Sequence, residues 1–227
     1  MTRVGFWKVS QGLIAAAVVA GGCDPVSSRD LHTSAIQARI LVSAPSSAIT
    51  SVRVSLYTTG GYPFDHVKLD GGDALFAEAA GQRQRMGAGS SDYETSFATA
   101  AAETSFQVIF DRPPANDVDA PGSSGTLPAP FTLGGISGGV LTWSPSGTAD
   151  TMSLSLEGSC FEDLGIAIPG DPGTYPMPAL ERDGLRSSCQ ATLELRRTRK
   201  GVVDANLDPD SSFTLEQLRS ATFVAMP

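Results

Sequence analysis

The chain is poor in the residue types from which most catalytic centres are built. It has two histidines, His32 and His66, and three cysteines, with no Cys-x-x-Cys pair. Without a Cys/His cluster, zinc and haem lack a ligand set; without vicinal thiols, dithiol redox chemistry is not expected. No Gly-x-Gly-x-x-Gly follows a strand and opens a helix, so dinucleotide binding is unsupported. Basic residues are outnumbered, 16 Lys+Arg against 24 Asp+Glu, which argues against nucleic acid as a partner. No apolar run reaches the roughly 20 residues needed to span hydrocarbon as a helix. Helical periodicity is nearly absent, and no repeat of fixed period is visible. No metal or cofactor is expected.

What is present begins at the N-terminus. Arg3 and Lys8 precede an apolar run over 13–20, followed by Gly21, Gly22 and Cys23, the layout of a secretory signal. Ala20-Gly21-Gly22-Cys23 resembles a bacterial lipobox, with Ala where a larger aliphatic residue is usual. The resemblance implies that residues 1–22 are a lipoprotein signal peptide, that Cys23 is acylated, and that the mature chain lies in the cell envelope beyond the cytoplasm. A cleaved signal with an incidental Cys23 is the alternative. One acyl chain holds a bilayer only marginally, at roughly 0.8 kcal/mol per buried methylene, so stable attachment requires several. Removing Arg3 and Lys8 leaves 14 basic against 24 acidic residues, a net charge of −10. Asp24 after the lipid cysteine tends to retain lipoproteins in the inner membrane of enteric bacteria; inner and outer membrane both stay open.

Residues 23–37 are polar, small and aperiodic, and read as a lipidated flexible tether with a span of roughly 20 Å. With Cys23 assigned to lipid, Cys160 and Cys189 remain as an even pair in an oxidising compartment, which predicts a disulfide.

Strand candidates are 38–43, 51–58, 93–99, 105–111, 140–144, 151–157, 165–168, 189–197 and 221–225. Within 51–58, Val52, Val54 and Leu56 alternate with Arg53 and Ser55, the period of a half-buried strand. Residues 66–69 and 74–77 flank Asp70-Gly71-Gly72-Asp73 and are expected to pair as an antiparallel hairpin, glycine supplying the positive φ of the turn. Residues 112–130 are rich in Pro, Gly, Ser, Asn and Asp and read as a surface crossover, ending in an edge-strand entry at Pro128-Ala129-Pro130-Phe131. Ser212 as a cap, with Leu215 and Leu218 on one side, predicts a helical turn over 214–219. About ten short strands with polar connections predict an all-β chain, a two-sheet antiparallel β-sandwich of immunoglobulin-like architecture, forming one domain over 38–227. A closed barrel is the structural rival.

Motifs that carry chemistry are few. Gly135-Ile136-Ser137-Gly138-Gly139 fits the nucleophile-elbow pattern, but a β pattern follows it and both histidines precede it, so a glycine-rich turn is the expected reading. His66 beside Asp65 suggests a base and its orienting acid, yet neighbours on a strand face opposite sides. The loop 204–210 offers Asp204, Asn206, Asp208 and Asp210 as oxygen ligands, without the glycine and distal glutamate of an EF-hand. Arg196, Arg197, Arg199 and Lys200 form the one dense basic run, a candidate contact for anionic head groups or an envelope polymer, or else a strand end that discourages edge pairing.

Several segments together resemble bacterial envelope lipoproteins: the lipobox; 67–73; Trp143-Ser144-Pro145-Ser146-Gly147 with Asp150; Cys160 and Cys189; and Arg197-Thr198-Arg199 with Gly201 and Asp204. The resemblance implies an envelope address and carries over no catalytic residue. Two function classes follow. The first is a non-enzymatic module presenting a β-sandwich to a partner protein or polysaccharide. The second is an envelope hydrolase acting on glycans through a carboxylate pair drawn from Asp70, Asp73, Asp150 or Glu157, which needs two of these about 5–10 Å apart in a cleft.

Overall fold

The computed structural model describes residues 25–60, 65–89, 91–113, 117–118, 120–178 and 188–225. Residues 1–24, with the expected signal segment and Cys23, lie outside the described residues. Within them the chain is a β-sandwich, as the alternating apolar pattern requires. One eight-stranded sheet has the spatial order β14 (Leu164–Ile168), β13 (Thr151–Gly158), β16 (Cys189–Lys200), β17 (Ser212–Ala225), β2 (Ile36–Ala44), β3 (Thr50–Thr58), β8 (Tyr93–Phe97) and β7 (Gly87–Ala88). Its pairings are antiparallel except β17 with β2. Two smaller antiparallel sheets face it. One is ordered β10 (Gly122–Thr126), β9 (Ser105–Asp111), β5 (Ala74–Ala79), β6 (Gln82–Arg85); the other is ordered β11 (Thr132–Ser137), β12 (Val140–Ser144), β15 (Thr174–Pro176).

Each small sheet closes its own apolar cluster. Leu75, Ala77, Phe106, Val108 and Phe110 pack against Ile40, Val52, Val54, Leu56, Phe213 and Leu215. Leu141 and Trp143 pack against Met152, Leu154, Leu156, Leu193 and Leu195. The two-sheet expectation is thus refined to one long sheet serving two smaller ones, with β16 and β17 paired continuously from Cys189↔Ala225 to Lys200↔Thr214. At the seam the sheets are stitched by an isolated bridge between Ser124 and Val202, whose amides and carbonyls exchange bonds of 2.9 and 2.7 Å. Gly201 permits that approach, since a Cβ there would lie 2.8 Å from the Ser124 carbonyl.

Four local expectations are corrected. The tether does not extend to Gln37: β1 (Val26–Ser27) pairs in parallel with β4 (Val67–Lys68), and two short 3-10 turns follow, Ser28–Asp30 and Thr33–Ala35. Ser28 and Thr33 are fully buried because Arg112 donates to the Ser28 and Leu31 carbonyls at 2.7 and 3.1 Å and to Thr33 Oγ1 at 2.9 Å. The hairpin across 70–73 is a turn without a ladder. Gly71 and Gly72 take φ of +65° and +96°, but Val67–Lys68 pairs with β1 while β5 runs between β9 and β6; strand partners are chosen by burial, not by the turn alone. The crossover over 112–130 contains β10, which extends the small sheet. Finally, 214–219 is strand: flanked by β16 and β2, it buries Phe213, Leu215 and Gln217 alternately, and that pairing overrides the local helical spacing.

The Cys160–Cys189 disulfide forms, with a Cα–Cα distance of 5.8 Å, and ties the end of β13 to the start of β16. Replacing both cysteines by alanine is expected to lower stability by about 3.6 kcal/mol, the loop-closure value for a loop of about 30 residues. Urea unfolding of the oxidised protein and the variant measures this; equal midpoints would show that the bridge adds nothing.

Candidate functional site

The basic run is divided between the two faces of a strand, with Arg197 buried and only Lys200 fully exposed. It lies on β16, where alternate residues face opposite sides. Arg197 is fully buried: it pairs with Asp171 at 2.8 Å, donates to the Ala129 and Pro145 carbonyls at 2.8 and 2.7 Å, and stacks 4.9 Å from the Phe131 centroid. Arg199, on the same face, binds Asp150 at 2.7 Å and Glu103 at 2.8 Å; these two carboxylates, Asp150 foremost, raise its pKa. On the other face Arg196 pairs with Glu194 and Glu216, and Lys200 donates to Thr214 Oγ1. The reading of these four cations as a free contact for anionic surfaces is therefore corrected. Two of them bind the chain together between the two apolar clusters, joined there by Gln217, which donates to the Ala100 and Pro128 carbonyls.

The carboxylates considered for glycosidic chemistry are dispersed. Asp73 is buried against Arg112 at 3.2 Å. Asp70 accepts from the Gly71 amide at 2.7 Å, which, ahead of its other contacts, lowers its pKa. Asp150 binds Arg199, and Glu157 is exposed on β13. Asp70 and Asp73 share one turn, but Asp73 points its carboxylate into the interior and Asp70 holds the turn itself.

The remaining motifs resolve into structural roles. Gly138 and Gly139, both at positive φ, form the two-residue turn joining β11 to β12, with Ser137 opposite Val140; that is a β-hairpin of primed type. His66 stacks on Tyr57 at 4.9 Å, and its Nδ1 is buried with no hydrogen-bond partner. In the acidic loop, Asp204 accepts from the Gly122 and Asn206 amides at 2.8 and 2.9 Å. Asp208 accepts from Thr59 Oγ1 at 2.6 Å and the Asp210 amide at 2.8 Å. These carboxylates fasten a loop to its neighbours, and no set of three or more potential metal ligands converges among the described residues.

Among the described residues, one groove is lined by two cations that no ion pair engages. Between β4 and the strands β6, β7 and β8 lies an open groove of about 460 Å³, lined by Lys68, Leu69, Arg85, Met86, Ala88 and Tyr93 among others. A recess of about 210 Å³ adjoins it and shares Lys68, Ala88 and Tyr93, with His66 and Asp92 on its far wall. Tyr93 is 9% exposed, and its hydroxyl accepts from the Leu69 amide at 2.8 Å. Burial pushes that phenol above its ordinary pKa of 10.0, the amide contact pulling the other way. The sequence offers little warning of this groove: β6 and β7 have no signal in it, Arg85 belongs to no motif, and Lys68 lies in the segment 67–73 with nothing there to mark it as a contact.

No family model and no curated protein matches the chain. Among solved structures it is similar to a two-domain fibronectin type-III segment of chicken tenascin, at 10% identity over 83% of this chain and 97% of that one, with a TM-score of 0.25. So loose a superposition carries no argument about strand order or function.

Proposed function

We propose that the chain is a lipid-anchored envelope module that binds a ligand or partner without catalysing its conversion. It is attached through Cys23 to the inner or outer membrane and faces the periplasm or the exterior. The observation that carries the reading is the contrast in side-chain use. Of the four carboxylates on which hydrolysis would rest, Asp70, Asp73 and Asp150 are each engaged by a named partner in the fold and Glu157 stands exposed on β13, whereas the groove over β4, β6 and β8 presents two exposed cations without an ion pair. The Cys160–Cys189 bridge supports an oxidising address.

The anchor is tested by metabolic labelling with a palmitate analogue. The full chain is expected to carry label and to sediment with membranes, and Cys23→Ala to lose both. Label retained in Cys23→Ala, or an unprocessed chain soluble in the cytoplasm, would remove the anchor and the address together. Capture from detergent-solubilised envelopes with the anchored protein then reports the partner.

A further inference from the structure

We infer that the groove between β4, β6 and β8 binds an amphiphilic anion, its carboxylate or phosphate head held by Arg85 and Lys68 and its apolar body laid against Leu69, Met86 and Ala88. This inference rests on the binding-module reading. Its first support is the pairing of cations. Arg29, Arg53, Arg83, Arg112, Arg196, Arg197 and Arg199 each have a carboxylate within 4.0 Å. Arg219 binds carbonyls, Lys200 binds Thr214, and Arg39 stacks over Tyr57. Among the described residues this leaves Lys68 and Arg85 with no ion pair or hydrogen bond, and both are exposed on one groove. In a chain of net charge −8, two such cations line one groove.

The acids nearest them have other partners as well: Asp70, which feels the charge of Lys68, accepts from the Gly71 amide and the Ser27 hydroxyl. Asp73, on the groove wall, faces the buried Arg112, and Asp92, in the adjoining recess, accepts from Ser55 and faces Arg53 at 3.8 Å. The second support is Tyr93. Its hydroxyl accepts one bond from Leu69 and has no acceptor among the described residues for its own proton, although the residue is nine-tenths buried. Tyr93 lines the groove, and an anion there would accept that proton. A guanidinium fork receives a carboxylate or phosphate through two parallel bonds, with the ammonium adding a compact charge. The apolar wall then selects an anion with a hydrophobic body over a bare one, and the volume lies within the range of about 300–1,000 Å³ usual for small-ligand sites.

The test uses the full chain anchored in phosphatidylcholine nanodiscs, titrated with phenyl phosphate and with 3-phenylpropanoate and read by saturation-transfer NMR. At least one is expected to bind, and the tighter of the two identifies the head group. Inorganic phosphate and the neutral 3-phenylpropanamide are expected to bind at least about tenfold more weakly, and Arg85→Gln or Lys68→Gln to weaken the preferred probe by about tenfold. Arg85→Lys, which keeps the charge, is expected to retain part of the affinity and controls for any change in folding. Binding of the amide as tight as that of the anions, binding indifferent to both Gln variants, or no binding of either anion would overturn the site while leaving the module reading to the capture experiment. Release of phenol from phenyl phosphate would instead overturn the non-catalytic reading and leave the site standing.

Discussion

Asp171→Ala lowers the stability of the protein by about 3–5 kcal/mol, the usual consequence of stripping one member from a buried ion pair. Asp171 accepts from Arg197 at 2.8 Å, from Trp143 Nε1 at 2.7 Å and from the Thr148 hydroxyl at 2.8 Å. Removing it leaves a guanidinium and an indole N–H in the interior with no acceptor from this side chain. Arg197 Nε is already without a partner, so the arginine has no slack to absorb the loss. For a chain of this size the melting temperature is expected to fall by roughly 10 °C. Adding Arg197→Met should recover part of that loss, because the orphaned charge is the main penalty. The effect also depends on pH. Burial raises the Asp171 pKa, but the bonds from Trp143 and Thr148 and the charge of Arg197 outweigh it and hold the folded value below 3.8. A depressed carboxylate stabilises fully above its unfolded pKa and loses that contribution as pH falls through the folded value. Wild type should therefore lose its advantage over Asp171→Ala only below about pH 4. Urea midpoints at neutral pH and at successively lower pH measure this; an advantage constant down to the lowest pH would show that the charge of Asp171 contributes nothing.

Arg112→Ala is expected to cost a similar amount, about 3–5 kcal/mol, because it removes the buried guanidinium that Asp73 faces at 3.2 Å. It has a second, local outcome. Arg112 is the donor that holds the Ser28 and Leu31 carbonyls and Thr33 against the body, so its loss frees the segment before β2. Arg29, exposed in that segment, becomes a trypsin site. Cleavage after Arg29 should be at least about tenfold faster in the variant under native conditions, as expected when a cleavage site gains local freedom. An unchanged cleavage rate would mean that β1 and its pairing with β4 hold the segment unaided.

Both arginines show what a sequence reading can see and where it stops too soon. Phe106, Val108 and Phe110 were read as the inward residues of a strand, and Arg112 is the next residue of the same parity. Leu193 and Leu195 precede Arg197 in the same way. The period of two continued through a charged residue, and the partners needed to make that tolerable, Asp73 and Asp171, are distant in sequence and had no local signature. The strands at 51–58, 105–111, 140–144 and 151–157 were legible because each alternates in isolation. The helical reading of 214–219 failed because Leu215 and Leu218, three residues apart, have helical spacing, and the pairing with two neighbouring strands overrides it and sets them on opposite faces. The groove was the least legible of all. Its cations come from β4 and β6, which are two and four residues long, too short for any periodic signal.

The continuous β16–β17 ribbon bears on how the molecule comes apart. Its inner face supplies Leu193, Leu195 and Phe223 to one apolar cluster and Phe213 and Leu215 to the other. Melting either half would strand the shared ribbon with one side wet, so neither half has an economical route to unravel by itself. Damage beside Trp143 is thereby felt beneath Tyr93.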